Sequence, residues 1–89
     1  MESFLAAQEN DWEVHGLPAF QDNYLWLIVH RPSQKAIAID PGCGQTVDLF
    51  LSQHHLHLEG VAITHPHPDH VGGLPLLLQK QPQLAVWAP

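Results

Sequence analysis

Four side chains able to ligate a metal fall within six residues of this chain: His65, His67, Asp69 and His70. They follow a short apolar run, residues 60–64 (GVAIT), that reads as a buried strand, and they precede the pair Gly72-Gly73. Loop histidines are usually solvated and without special chemistry, but three of them with an aspartate in the order HxHxDH ask for another explanation. Imidazole nitrogen together with carboxylate oxygen suits zinc, iron or manganese. Alternate residues of an extended segment face the same way, so His65 and His67 can reach one ion. Asp69 and His70 come where the chain turns into a helix and can point to a second ion nearby. Both His65 and His67 precede a proline, Pro66 and Pro68, and a residue before proline is pushed out of the α region. The same prolines remove two backbone N–H groups that would need partners. The segment reads as a stiff ligand loop. A structural zinc is disfavoured because such sites draw on thiolates, and no cysteine lies here.

The rest of the chain reads as strands and helices separated by turn residues. Strands are expected at residues 13–20, broken near Pro18, at 24–29 and at 35–40, with turn residues Gln21, Asp22 and Asn23 after the first and a hairpin connection at 31–34 after the second. The run Tyr24-Leu25-Trp26-Leu27-Ile28-Val29 is continuously apolar, as in a strand covered on both faces. Thr46 can cap a helix over 47–55 whose Val47, Phe50 and Leu51 share one face. A second helix is expected over 73–80, with Pro75 in its first turn and Leu74, Leu77 and Leu78 inward. A last strand covers 83–87. Residues 1–12 read as a disordered lead. The class is α/β or α+β with a mixed sheet and helices on one face. Two helices cover only one face of such a sheet, so the other needs protein that this sequence does not contain. Composition agrees: charged residues are 13% of the chain, about half the usual share of about 25%.

Charge excludes some functions. Nine acids against three Lys+Arg give a formal net charge of −6, which argues against nucleic acid and against an anionic membrane surface as partners. No apolar run approaches the roughly 18 residues of a spanning helix. The acidic start lacks the basic region and apolar core of a secretion signal, and the single cysteine, Cys43, precludes an intrachain disulfide framework. These features point to the cytoplasm, with a mitochondrial location left open.

The other candidates carry less. His54, His55 and His57 crowd a helix end, where histidine favours the negative pole of the dipole and a solvated position. Cys43 reads as a small, inert thiol. Asp40, at the end of a buried strand, is either a turn-initiating acid or an acceptor that orients a histidine ligand. Trp12, Trp26 and Trp87 read as core or boundary aromatics, and Gly72 and Gly73 as positions of close backbone approach.

The segment Thr64-His65-Pro66-His67-Pro68-Asp69-His70-Val71-Gly72-Gly73 resembles the THxHxDHxGG signature of the metallo-β-lactamase superfamily. Upstream, Leu17-Pro18-Ala19-Phe20-Gln21-Asp22-Asn23-Tyr24-Leu25-Trp26 is similar to the opening of glyoxalase II, the hydroxyacylglutathione hydrolases, as are Ile39-Asp40-Pro41-Gly42 and the closing Val86-Trp87-Ala88-Pro89. The resemblance runs from about residue 14 to the end. It implies an αββα sandwich of which residues 1–89 form the first half, within a single domain. It implies that His65 and His67 bind a first metal and Asp69 and His70 a second, with two zinc ions per full-length chain and iron or manganese as possible replacements. The implied partner is a small-molecule glutathione thioester, S-D-lactoylglutathione, hydrolysed to D-lactate and glutathione by metal-activated water. Prolines at both x positions depart from the family's usual His or aromatic. Residues after His70 contain neither His nor Asp, so the remaining ligands of the family have no counterpart here. The chain reads as an N-terminal part that lacks full activity alone. Two other readings stand beside it: an iron persulfide dioxygenase of the same fold, and a non-catalytic metal-binding fragment.

Overall fold

The computed structural model describes residues 2–20, 23–65 and 67–89, without the side chain of Asp69. Pro66 and the turn residues Gln21 and Asp22 therefore lie outside the described residues. Strands β1 (Phe4–Glu9), β2 (Trp12–Ala19), β3 (Asn23–His30) and β4 (Lys35–Ile39) come first, followed by helix α1 (Gly44–Gln53) and β5 (His57–Ala62). Helices α2 (Pro68–Val71) and α3 (Leu74–Lys80) then lead to β6 (Ala85–Trp87). One mixed sheet holds all six strands in sequence order. The pairs β1–β2, β2–β3 and β3–β4 are antiparallel, whereas β4–β5 and β5–β6 are parallel. Helices fill the parallel crossovers, as such connections require.

The alternation of β3 divides the sheet into two unlike faces. Leu25, Leu27 and Val29 are fully buried, and the residues opposite them in register, Leu17, His15, Ala38 and Ala36, lie on the same face. Helix α1 lays Val47, Phe50 and Leu51 on that face, as its spacing predicts, and Leu77 of α3 joins the same core. Each fully buried Leu or Val contributes roughly 1.5–3 kcal/mol of transfer free energy, so this face carries the fold.

The opposite face is apolar and bare. Phe4, Trp12 and Trp87 are 42%, 52% and 54% exposed, and register places Tyr24, Trp26, Ile28, Ile37 and Ile39 beside them. Phe4 meets the Tyr24 and Trp26 rings edge-on, at 5.1 and 5.8 Å between centroids. Two of the three tryptophans expected at the core or its boundary are thus half-exposed. The mixed sheet with helices on one face is as expected.

Three expectations need correction. Residues 1–12 are not a disordered lead: Phe4–Glu9 form the edge strand β1, because the Asn10 left-handed turn (φ 55°) folds them back on β2. Pro18 does not break β2. Pairing with β1 ends at Gly16, so Pro18 stands where β2 is locally an edge, and edges tolerate a missing N–H. Thr46 does not cap α1. The helix starts at Gly44 with Cys43 as N-cap, and the Thr46 hydroxyl turns back to the Cys43 Sγ at 3.2 Å. Among the described residues, no helix is long and apolar enough to cross a membrane.

Candidate metal centre

The parallel strands β4 and β5 end side by side, and the segments that leave them bring the site together. Asp40 continues the ladder by donating its N–H to the Ala62 carbonyl at 2.9 Å, then turns off with φ 50°. This sharp exit aims its carboxylate at the neighbouring chain end. Oδ1 accepts the Thr64 backbone N–H at 2.7 Å, and Oδ2 accepts the Thr64 hydroxyl. The same Oδ2 accepts His70 Nδ1–H at 3.1 Å. Asp40 thus both turns the chain and bonds Thr64 and His70. Burial raises its carboxyl pKa, but the two bonds from Thr64 and the one from His70 outweigh burial and hold it below the ordinary value of 3.8.

The histidines surround this anchor. Thr64 Oγ1 lies 2.9 Å from His65 Nδ1. One ligand atom each from Asp40, His65 and His70 lies within 4.8 Å of the others. Ring centroids are 5.4 Å apart for His65 and His70, and 6.3 Å for His67 with either. Zinc–nitrogen bonds of about 2.0–2.1 Å at tetrahedral angles put two ligating rings about 5 Å apart, so the triangle is of the right scale for one ion or an adjacent pair. The donors fit too: three imidazoles, a carboxylate and no thiol. His67 is extended at φ −96°, ψ 151°, as a residue before proline should be, and serves as N-cap of α2. The side chain of Asp69, the remaining expected ligand, lies outside the described residues.

Two backbones pack tightly beneath the loop. A Cβ on Gly72 would lie 2.8 Å from the Gly42 carbonyl oxygen, and Gly73 N–H donates to the Pro41 carbonyl at 2.8 Å. The expectation of close approach at this glycine pair holds.

The remaining histidines sit elsewhere. His54 stacks on Phe50 with centroids 4.0 Å apart, at the end of the sheet where Arg31 leaves β3. Arg31 Nε donates to both oxygens of Glu13 at 3.0 and 3.1 Å, and Glu13 also meets His15 Nε2 at 2.7 Å. His55 and His57 are exposed. The Thr46 hydroxyl, against opposing burial, holds the Cys43 thiol below its ordinary value of 9.0. Sequence reasoning missed the role of Thr64, although a hydroxyl directly before the first histidine of the motif was the available signal.

Comparison with known proteins agrees with this geometry. Residues 20–89 match the family model of the metallo-beta-lactamase superfamily. A hydroxyacylglutathione hydrolase of Vibrio cholerae serotype O1 is 43% identical over 77 residues, which are 86% of this chain and 30% of that protein. Hydroxyacylglutathione hydrolase 2 of Vibrio vulnificus is 42% identical over 77 residues, again 86% of this chain and 30% of that one. The corresponding enzyme of Pseudoalteromonas translucida is 39% identical with the same coverage, 86% and 30%. The crystal structure of VMB-1 at pH 5.5 superposes with a TM-score of 0.61 at 20% identity, covering 90% of this chain and 40% of that one; at such identity it speaks for the fold alone. The chain spans about 30% of the length of the curated relatives it matches.

Proposed function

This chain belongs to the metallo-beta-lactamase superfamily, and from that premise we propose that it supplies the first metal-ligand loop of a hydroxyacylglutathione hydrolase. The reaction is hydrolysis of S-D-lactoylglutathione to D-lactate and glutathione. The observation that carries the reading is the gathering of Asp40, His65 and His70 at the ends of parallel strands, in a chain 43% identical to a protein of that name.

In this reading His65 and His67 hold one ion and Asp69 and His70 a second, with zinc as the metal. A divalent ion bound there supplies a water of pKa near 7 and polarises a carbonyl. The protein's own work is positioning. Asp40 fixes the His70 ring through Nδ1, which puts the lone pair of the neutral ring on Nε2. A thiolate leaves readily, so no strong general acid is required of these residues.

Binding of the glutathione moiety falls to other groups. Arg31 is committed to Glu13, Lys35 to Glu59 at 3.2 Å and Lys80 to Asp48 at 2.7 Å, which accounts for all three Lys+Arg. We place the anion-binding residues, the further ligands and a second sheet over the bare face in the part of the relatives that lies outside the match.

Metal analysis and thioester assay test the reading together. A protein of the relatives' full length that begins with this sequence should bind zinc and hydrolyse S-D-lactoylglutathione, while the 89-residue chain should lack full turnover. Stoichiometric iron with oxygen uptake on glutathione persulfide, or metal binding without any hydrolysis, would overturn it.

A further inference from the structure

We propose that Thr64 is the positioning residue that decides which nitrogen of His65 faces the metal. The inference rests on the reading of His65 as a ligand and extends it to a residue with no ligand role of its own. It follows from counting hydrogens. A threonine hydroxyl has one proton to give and two lone pairs with which to accept. Asp40 is an ionised carboxylate at neutral pH and can only accept. It lies within hydrogen-bonding reach of the Thr64 hydroxyl through Oδ2, while Oδ1 is already engaged by the Thr64 backbone N–H. The single hydroxyl proton therefore points to Asp40. His65 Nδ1, 2.9 Å from the same oxygen, must then be the donor, because no second proton is available to it. A neutral imidazole protonated at Nδ1 carries its lone pair on Nε2.

One carboxylate thereby sets two histidines by two routes. His70 gives its Nδ1–H to Asp40 directly, and His65 gives its own through the Thr64 oxygen. Both rings present Nε2 as the basic nitrogen. Asp40 and Thr64 stand 24 residues apart in sequence and meet only because β4 and β5 run parallel in register. The sheet itself makes the tautomer choice.

Tautomer and metal affinity are separate readouts, and both should be taken. In the metal-free protein at pH 8, two-bond nitrogen–proton NMR correlations report which nitrogen of His65 is protonated. Wild type and Thr64→Ser should show Nδ1–H, and Thr64→Val should lose that preference. Zinc affinity by chelator competition should fall about 10–100-fold in Thr64→Val and recover in Thr64→Ser. Thr64 is exposed, and Thr64→Ala repeats the test without a β-branched side chain should the valine variant fold poorly. Protonation at Nε2 in wild type, or an unchanged tautomer in both the valine and alanine variants, would overturn the proposal. Failure of wild type to bind zinc would overturn the ligand reading instead, and the NMR result would still decide the role of Thr64.

Discussion

Gly73 lies so close to the start of α1 that a Cβ on it would stand 2.3 Å from the backbone nitrogen of Gly44. Neither Gly72 nor Gly73 has a positive φ, so clearance, and not conformational freedom, is what glycine supplies here. Backbone atoms on the other side, the Pro41 carbonyl oxygen among them at 2.4 Å, cannot swing away as a flexible side chain would. Gly73→Ala should therefore destabilise the protein by about 1–3 kcal/mol and loosen the ligand loop. Urea unfolding with zinc titration checks this; a variant as stable and as tight as wild type would count against it.

Asp40→Asn removes charge while keeping shape. An amide offers one acceptor atom and one donor where the carboxylate offers two acceptors, so it cannot accept the Thr64 N–H on one side and the Thr64 hydroxyl and His70 on the other as the native group does. Zinc affinity should fall by about 10–100-fold. Undiminished binding in competition with a chelator would show that the orientation of His70 does not depend on Asp40.

Acid should weaken the fold at the end of the sheet away from the ligand loop. Burial, aided by the neighbouring Arg31 and His15, holds His54 below its ordinary pKa of 6.5 despite the opposing pull of Glu13. The unfolded chain then binds more protons than the folded one between the two values, so stability rises with pH across that window. The contribution is complete above about 6.5 and is lost as pH falls through the lowered value. Glu13, held down chiefly by His15 and also by Arg31 against burial, adds a second loss below its ordinary 4.5. Unfolding free energies measured from pH 4 to pH 8 should show the decline, and His54→Asn should flatten its upper part. A slope unchanged in that variant would remove His54 as its source.

Substitution should report the two-sided character of the sheet and its helices. Leu27 is fully buried on the helix-covered face, whereas Leu49 on α1 is 59% exposed. Leu27→Ala should cost about 2–5 kcal/mol, and Leu49→Ala less than about 0.5 kcal/mol. Comparable losses at the two positions would mean that the buried face does not carry the stability.

The legible parts of this protein were those whose cause is local. Alternating burial in β3, the Val47, Phe50 and Leu51 face of α1 and the ligand spacing at 65–70 are all written in short windows. β1 was hidden because its alanines and glutamine carry no strong strand signal and only pairing with β2 orders them. The start of α1 was misplaced because Thr46 has a competing partner in Cys43 Sγ. Asp40 remained ambiguous for a related reason: its role depends on Thr64 and His70, and nothing local specifies that meeting. The Glu13–Arg31 pair, 18 residues apart, was invisible for the same reason.

The strand order 1-2-3-4-5-6 has a consequence for how the protein is made. Every strand docks against the one synthesised just before it, so none must wait for a later segment to be inserted between its neighbours. Within the antiparallel pairs β1–β2, β2–β3 and β3–β4, loop-closure entropy is met in small instalments. A nascent chain can extend this sheet while it leaves the ribosome. Asp40, at the end of β4, is therefore synthesised before β5, Thr64 and the histidines that meet it.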